Sequence, residues 1–330
     1  MKYISLIILT LLQYGLASNN LNLGKNVTVS GISSGGYFAH QFHIINSGLV
    51  NGAAIFAAGP FYCARGNAIT AMKTCMEGKL VSGTSLFSYQ YINTLQFSGL
   101  IDPTFNLKDD KVFLFSGVLD KVVHQEVTNE LNSLYELLGV KELKYVKDLQ
   151  VAHTLPTLDQ GGECTKSQTP FIGNCNYNGA LESLRTLYPD RRKENNVLGG
   201  TLTKVSQRKY FSSFDIGLYR PLLMEDAYMY IPKYCKDHQC ELHIAFHGCK
   251  QSLDDIGTDY IDKSGFIEAS EELGLVVLFP QAKKSLSDFQ NPNSCWDWWG
   301  YSGMDYSVRT GQQVRIITDM VKDLLNKNMQ

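Results

Sequence analysis

Apolar and polar positions along the chain follow two rhythms. Short aliphatic or β-branched runs occur at Val27–Ser30, Ala53–Ala57, Val112–Phe115, Tyr145–Val151, Leu202–Ser206, Tyr228–Ile231, Glu241–Phe246 and Val276–Phe279. Runs of this length with turn residues around them read as strands. Between them lie stretches with apolar residues three and four apart: from about Tyr37 onward, Thr84–Gln96, His124–Leu138, Ala180–Leu187, Ile267–Leu273 as the end of a helix, and Val314–Leu325. In His124–Leu138 the stripe is Val127, Leu131, Leu134 and Leu138. A Gly/Cys/Asn-rich stretch after Val151, reaching about Asn178, and the polar segment Arg191–Gly200 read as loops. Alternation of strands with helices predicts an α/β fold, a mostly parallel central sheet with helices on both faces. With no repeat, low-complexity linker or shift in composition, one catalytic domain is the simplest organisation.

Bulk composition narrows the function classes. The chain has 330 residues, 44% hydrophobic and 19% charged, with net charge −2. That is ordinary globular composition. No block of Lys/Arg stands out, so nucleic acid and anionic membranes are not expected partners. Lys2, the apolar run Ile4–Leu12, and the small residues Gly15 and Ala17 read as a secretory leader cleaved after Ala17, give or take a residue or two. A retained N-terminal anchor is the competing reading. The expected organisation is residues 1–17 as leader and 18–330 as the catalytic domain, with no separate substrate-binding domain and no stable membrane span.

Export changes how the eight cysteines are read. Disulfides are favoured over metal ligation. Eight cysteines allow 105 pairings; the neighbour pairing Cys63–Cys75, Cys164–Cys175, Cys235–Cys240 and Cys249–Cys295 is expected. On loop entropy each short loop contributes roughly 2–3 kcal/mol and the Cys249–Cys295 loop roughly 4 kcal/mol. No Cys/His cluster has zinc spacing: His243 and His247 are four apart, but on a strand pattern and without the H-E-x-x-H glutamate. No metal or cofactor is expected.

The chemistry starts at Val27–Gly36, V-T-V-S-G-I-S-S-G-G. A strand, a sharp turn and a helix enclose a G-x-S-x-G box, the pattern of a nucleophilic serine on a strained elbow. Gly31 and Gly35 sit two before and two after Ser33, where larger side chains would collide; Ser34 has Ile32 two before it. Ser33 is therefore the candidate nucleophile. A serine needs a base and the base an orienting acid. Of seven histidines, His40 and His43 lie on the helix after the elbow, pointing away from the turn, and read as helix-surface residues. His124 sits at a helix start, His238 in a solvated loop between Cys235 and Cys240, and His243 packs on a strand. His153 lies where a strand runs into a loop, an address where functional groups gather in parallel sheets. Asp120 sits just past Val112–Phe115, with a helix N-cap as its alternative role. Ser33, Asp120, His153 is the order of nucleophile, acid and base in α/β-hydrolases. Ser34 N–H supplies one oxyanion donor, and the second comes from the loop Phe246-His247-Gly248-Cys249. That loop lies over 200 residues after the serine, whereas it normally precedes the elbow. The order implies a circular permutation, with Val314–Leu325 ending where it could feed Val27–Ser30.

The segments V-S-G-I-S-S-G-G-Y, A-G-P-F-Y-C-A, A-H-T-L-P-T, N-C-N-Y-N-G-A, H-G-C-K-Q-S and N-P-N-S-C-W-D-W-W-G resemble those of secreted poly(3-hydroxybutyrate) depolymerases of the single-domain, circularly permuted kind. The resemblance covers nearly the whole chain after the leader. It implies Ser33 as nucleophile, Asp120 as acid, His153 as base, the amides of Ser34 and Cys249 as oxyanion hole, and Trp298 as an aromatic lining the substrate crevice; the eight-cysteine pattern also looks like the family's. Trp299 and Tyr301 are further candidate crevice walls, while Trp296 reads as core. Ile32 and Phe38 replace residues that are often Leu and Met in relatives, and His124 and Lys283–Asp288 are less familiar. The function implied is a secreted (extracellular or periplasmic) serine esterase acting on 3-hydroxybutyrate-type polyester or oligoester. An esterase for feruloyl or acetyl-polysaccharide esters, and an inactive secreted binding protein on the same scaffold, are the alternatives.

Overall fold

The structure, a computed structural model, describes residues 21–191, 198–213, 221–285 and 290–326. The expected leader lies outside these residues, as do parts of the loop 191–200 and of the segment 283–288. The central strand β1 (Leu23–Ile32) is buried along its second half, Val27 to Ile32. It pairs in parallel with β2 (Val50–Phe56) on one side and β10 (Cys240–Phe246) on the other, Val29 facing Ala53 and Ile244. Beyond β2 come β3 (Lys111–Phe115) and β4 (Glu142–Val146), both parallel. Beyond β10 comes the parallel β11 (Leu275–Phe279), then the antiparallel β9 (Asp226–Ile231) and β8 (Thr201–Ser206). The eight-stranded order is β4-β3-β2-β1-β10-β11-β9-β8. The half-sheet that leads up to the nucleophile strand in an ordinary α/β-hydrolase is here supplied by the end of the chain. The expected mostly parallel, permuted α/β-hydrolase fold is the observed one.

Helices cover both faces. One carries α1 (Ser34–Ile45), α3 (Thr84–Phe97), α4 (Gln125–Leu137) and α9 (Gln312–Asn326), and α9 packs against β1. The other carries α5 (Gly179–Leu187) and α8 (Phe266–Leu273). Short helices α2 (Ala68–Lys73), α6 (Leu253–Ile256) and α7 (Asp259–Lys263) lie in connections. A three-stranded sheet of β5 (Leu155–Thr157), β7 (Ile172–Asn174) and β6 (Gly162–Glu163) occupies the stretch expected to be loop.

Two further expectations are corrected. The strand read as Tyr145–Val151 runs from Glu142 to Val146. β4 is an edge strand, and its pairing stops where Phe115 meets Val146. The carbonyls that follow are taken by a loop instead: Val118 N–H donates to Leu149 O at 2.9 Å and Leu119 N–H to Val151 O at 3.1 Å. His40 and His43 are not on the surface. Every residue of α1 is buried, and a helix enclosed on all sides must satisfy its polar side chains internally. His43 Nε2 lies 3.0 Å from Asp110 Oδ2, and the Tyr135 hydroxyl lies between His43 Nδ1 at 3.1 Å and His40 Nδ1 at 2.8 Å. His243 packs on its strand as expected, held by Thr28 Oγ1 and Ser30 Oγ, each at 2.7 Å. His238 is exposed and stacks on Tyr234. The four cysteine pairs are those expected.

Buried histidines make the fold sensitive to acid. Burial holds His40 well below the ordinary imidazole range, with His43 adding to it, and pushes His243 down to about 3 and His247 to about 4. In the unfolded chain each titrates near 6.5. Between that value and the depressed ones the unfolded state binds more protons, so stability falls as pH falls. Between about pH 6 and 5 each such histidine contributes up to about 1.4 kcal/mol of stability per pH unit. Chemical denaturation at stepped pH should show uptake of up to three protons on unfolding; a flat midpoint across this window contradicts the account.

Candidate active site

Ser33 sits at φ 56°, ψ −123° between β1 and α1, a backbone conformation that costs a non-glycine residue of order 1–3 kcal/mol. Its amide donates to Phe56 O and its carbonyl accepts from Tyr37 N–H, both at 2.9 Å. The flanking glycines are sterically required. A Cβ on Gly31 would lie 2.2 Å from Gly35 O, and one on Gly35 would lie 2.3 Å from the carbonyl oxygens of both Phe246 and His247. Ser33 is partly exposed, whereas Ser34 is buried and its Oγ has no partner among the described residues. The two serines of the box are thus distinguished by access.

The candidate acid and base stand at the same end of the sheet. Successive strand ends are tied together: Ala57 N–H donates to Phe115 O at 2.8 Å and Ser116 N–H to Val146 O at 3.0 Å. Asp120 and His153 are both buried, with Asp120 Oδ2 2.8 Å from His153 Nδ1. Asp120 Oδ1 accepts from Val122 N–H at 2.8 Å and Val123 N–H at 2.9 Å. These fixed donors hold the carboxylate, so its other oxygen can orient the imidazole and leave Nε2 as the ring's second working atom. The alternative role of Asp120 as a helix cap is not the observed one, since the residue before α4 is His124. Gly117 lets the two loops close on each other: a Cβ there would lie 2.0 Å from Val151 O. His153 N–H donates to Ser167 Oγ at 2.9 Å, and Ala152 N–H donates to Cys164 O at 3.0 Å. The small sheet and the Cys164–Cys175 disulfide therefore carry the histidine loop.

The loop after β10 lies against the elbow through the contact at Gly35. Gly248 N–H donates to Gln251 Oε1 at 2.7 Å, and Gln251 Nε2 donates to Pro170 O at 2.9 Å and Phe171 O at 3.1 Å. Ser34 opens α1, so its amide has no intrahelical acceptor; the Cys249 amide has none among the described residues. Cys249 is joined to Cys295, and Lys250 N–H donates to Asn293 O at 2.7 Å.

These links anchor the aromatic loop. Asp297, fully buried, accepts from the amides of Trp299, Gly300 and Tyr301 on Oδ1, and from the amide and hydroxyl of Ser302 on Oδ2. Burial raises its pKa above the usual carboxylate value despite these donors. Trp298 is only 6% exposed and stacks on Tyr37 with ring centroids 3.9 Å apart. Trp299 is half-buried, 4.8 Å from the Tyr301 ring. The Tyr301 hydroxyl is committed to the protein: it donates to Cys295 O at 2.8 Å and accepts from Asn291 and Gln313. Trp296 is core, packed on Phe38, Phe246 and His247. Asp297 and Gln251 were missed in the sequence. The signal for Asp297 was an Asp followed within five residues by Gly300 and Ser302, the composition of a side-chain-capped turn; Gln251 carried none.

A cavity of about 550 Å³ lies at the opposite end of the strands, lined by Asp102, Arg309, Arg315 and Lys322 among others, and its Asp102 already pairs with Arg309 at 2.7 Å. Among the described residues no helix is long and apolar enough to cross a membrane, and no cluster of three His, Cys, Asp or Glu could hold a metal ion.

Sheet order, elbow and strand-end groups define an α/β-hydrolase. No family model matches the chain. It is 31% identical to a polyhydroxybutyrate depolymerase of Talaromyces funiculosus over 322 residues, 92% of this chain and 90% of that protein. It is 34% identical over 301 residues to a poly(3-hydroxybutyrate) depolymerase of Delftia acidovorans, spanning 89% of this chain but 58% of the relative's length. A solved PHB depolymerase with a serine replaced by alanine, complexed with an R3HB trimer, superposes with TM-score 0.82 at 30% identity, covering 93% of this chain and 98% of that one. The crystal structure of PHB depolymerase from Penicillium funiculosum gives TM-score 0.82 at 29% identity with the same coverage. The chain belongs to the polyhydroxybutyrate depolymerases, a family of ester hydrolases.

Asp297→Asn replaces a carboxylate by a group with a single acceptor oxygen. The expected cost is about 2–4 kcal/mol of stability, with tryptophan fluorescence more open to iodide quenching as the loop loosens. Unchanged melting and quenching would remove Asp297 as the organiser of this loop.

Proposed function

We propose that this chain is an exported serine esterase that cleaves 3-hydroxybutyrate-type polyester or its oligomers through an acyl-enzyme. The observation carrying the reading is the buried Asp120–His153 pair at 2.8 Å, on the same sheet end as a strained Ser33. His153 Nε2 takes the proton as Ser33 Oγ attacks the ester carbonyl. Asp120 holds the imidazole by Nδ1 and stabilises the positive ring. The amides of Ser34 and Cys249 receive the oxyanion; one such donor is worth about 3 kcal/mol of barrier. The tetrahedral intermediate collapses, and His153 Nε2–H protonates the departing alcohol of the next 3-hydroxyacyl unit. Water, deprotonated by the same nitrogen, then releases the acyl group as a carboxylic acid and restores Ser33. Trp298, Trp299 and the ring of Tyr301 are crevice walls in this reading, contacting a slender apolar chain through carbon. Support for the polyester comes from the names of the relatives and from the trimer bound in the neighbouring structure. Four disulfides suit folding in an oxidising compartment outside the cytoplasm.

Product analysis after incubation with amorphous 3-hydroxybutyrate polymer and with soluble trimer tests the reading. Wild type should release monomer and short oligomers, and turn over feruloyl and acetyl-sugar esters far more slowly. Ser33→Ala should lose about 10⁶ in rate and Asp120→Asn about 10⁴, with melting temperatures near wild type. Faster turnover of feruloyl or acetyl-sugar esters would reassign the substrate, and an active Ser33→Ala would end the serine mechanism.

A further inference from the structure

The segment that leaves β2 carries a cation without a counter-charge. From Ala57 to Met76 the sequence holds two basic residues, Arg65 and Lys73, and no acidic one. Lys73 pairs with Glu77 at 2.9 Å. Arg65 is exposed, and among the described residues its guanidinium has neither a hydrogen bond nor an ion pair. It is nonetheless held in place. The guanidinium carbon lies 3.7 Å from the centroid of the Phe87 ring, the first of a row of rings that continues through Tyr91 and Tyr62 to Tyr306. A planar cation laid over a ring keeps its N–H edges free for a planar acceptor with two oxygens. The backbone beneath it is fixed as well. Ser88 Oγ donates to Phe61 O at 2.6 Å, and Cys63 is joined to Cys75. Tyr62 and Arg65 both take left-handed conformations, at φ 55° and 52°, which persist only where the surroundings over-determine them.

This cation stands beside the aromatic loop. A Cβ on Gly300, between Trp299 and Tyr301, would lie 3.1 Å from Gly66 Cα, and Gly66 N–H donates to the Tyr306 hydroxyl at 3.3 Å. Sheet order gives the direction. β2, β3 and β4 lie on one side of β1, and the segments that follow them carry Arg65, Asp120 and His153. β10, followed by the Cys249 amide, lies on the other side. In the esterase reading the alcohol protonated by His153 therefore leaves on the side where Arg65 stands. In a 3-hydroxybutyrate chain that alcohol belongs to the part ending in the free acid, which is ionised at neutral pH.

We propose that Arg65 is a substrate-binding residue that takes the carboxylate at the acid end of a short 3-hydroxybutyrate oligomer and so favours cleavage of oligomers whose acid end is free. The inference rests on the esterase reading above and adds no chemical step to it.

The probes are 3-hydroxybutyrate trimer as the free acid and the same trimer capped as its methyl ester, scored by cleavage of the internal ester bonds at neutral pH and low salt. Wild type should favour the acid by about three- to tenfold in kcat/KM, through KM. In Arg65→Gln that ratio should fall to about one. Lys121 is the exposed cation next to Asp120, and Lys121→Gln should keep the wild-type ratio. A measurement on the unsubstituted protein covers the case in which Arg65→Gln does not fold: raising NaCl from about 0.02 to about 0.5 M should bring the wild-type ratio toward one. A wild-type ratio of one, a ratio unmoved by salt, a wild-type ratio in folded Arg65→Gln, or a loss that follows Lys121 instead overturns the proposal. A wild type that cleaves neither trimer removes the esterase reading, whereas one that cleaves both equally well removes this inference alone.

Discussion

The approach of the Gly35 backbone to the carbonyls of Phe246 and His247 is the constraint on which the site depends. A side-chain carbon at residue 35 would lie 2.3 Å from two carbonyl oxygens, so the first turn of α1 and the end of β10 meet main chain to main chain. This contact brings a loop from the last third of the protein against a turn near its beginning. The parallel pairing of β1 with β10, Val27 opposite Leu242 through Gly31 opposite Phe246, sets its register. A slip of one residue would invert the faces of β1 and carry the serine away from the loop. Sheet register, glycine placement and the position of the Ser33 hydroxyl are thus aspects of one geometric condition.

Around that contact the structure uses polar groups where an all-apolar core would pack more simply. His243 bridges Thr28 and Ser30 between two central strands. The Tyr135 hydroxyl lies between His40 and His43, and His43 lies against Asp110. Each of these hydrogen bonds contributes about 1 kcal/mol, and losing one partner leaves a buried orphan that costs more. Such groups tolerate few alternative arrangements, which favours a single packing of α1 beneath the strained serine.

Much of this was legible in the sequence, for identifiable reasons. The elbow could be read because its chemistry demands small residues at fixed spacing around Ser33. That Asp120 and His153 meet at one end of the sheet could be read because parallel strands bring polar groups to their carboxyl ends, although the strand before His153 ended at Val146. The mistake there was to treat Lys147–Val151 as ladder when its carbonyls serve the Gly117–Leu119 loop. His40 and His43 were misplaced because helical spacing does not reveal that a second layer, with Tyr135 and Asp110, closes over the far side of α1. The small sheet of residues 155–174 was missed because its strands are two or three residues long, below any periodic signal. Asp297 and Gln251 act on backbone amides and carbonyls, and the identity of a main-chain partner leaves no mark in a sequence.

The permuted order has a consequence for synthesis. Thr28 and its partner His243 are 215 positions apart, so the central strand leaves the ribosome long before one of its two neighbours exists. Loop closure over that span must be completed before the pairing returns any stabilisation. Until then the Gly35 contact cannot form, the turn has nothing to hold it in a strained conformation, and the hydroxyl it presents is that of an ordinary serine. A nascent chain therefore holds the turn at Ser33 without its partner loop, and completes that geometry only once its final strands have been made.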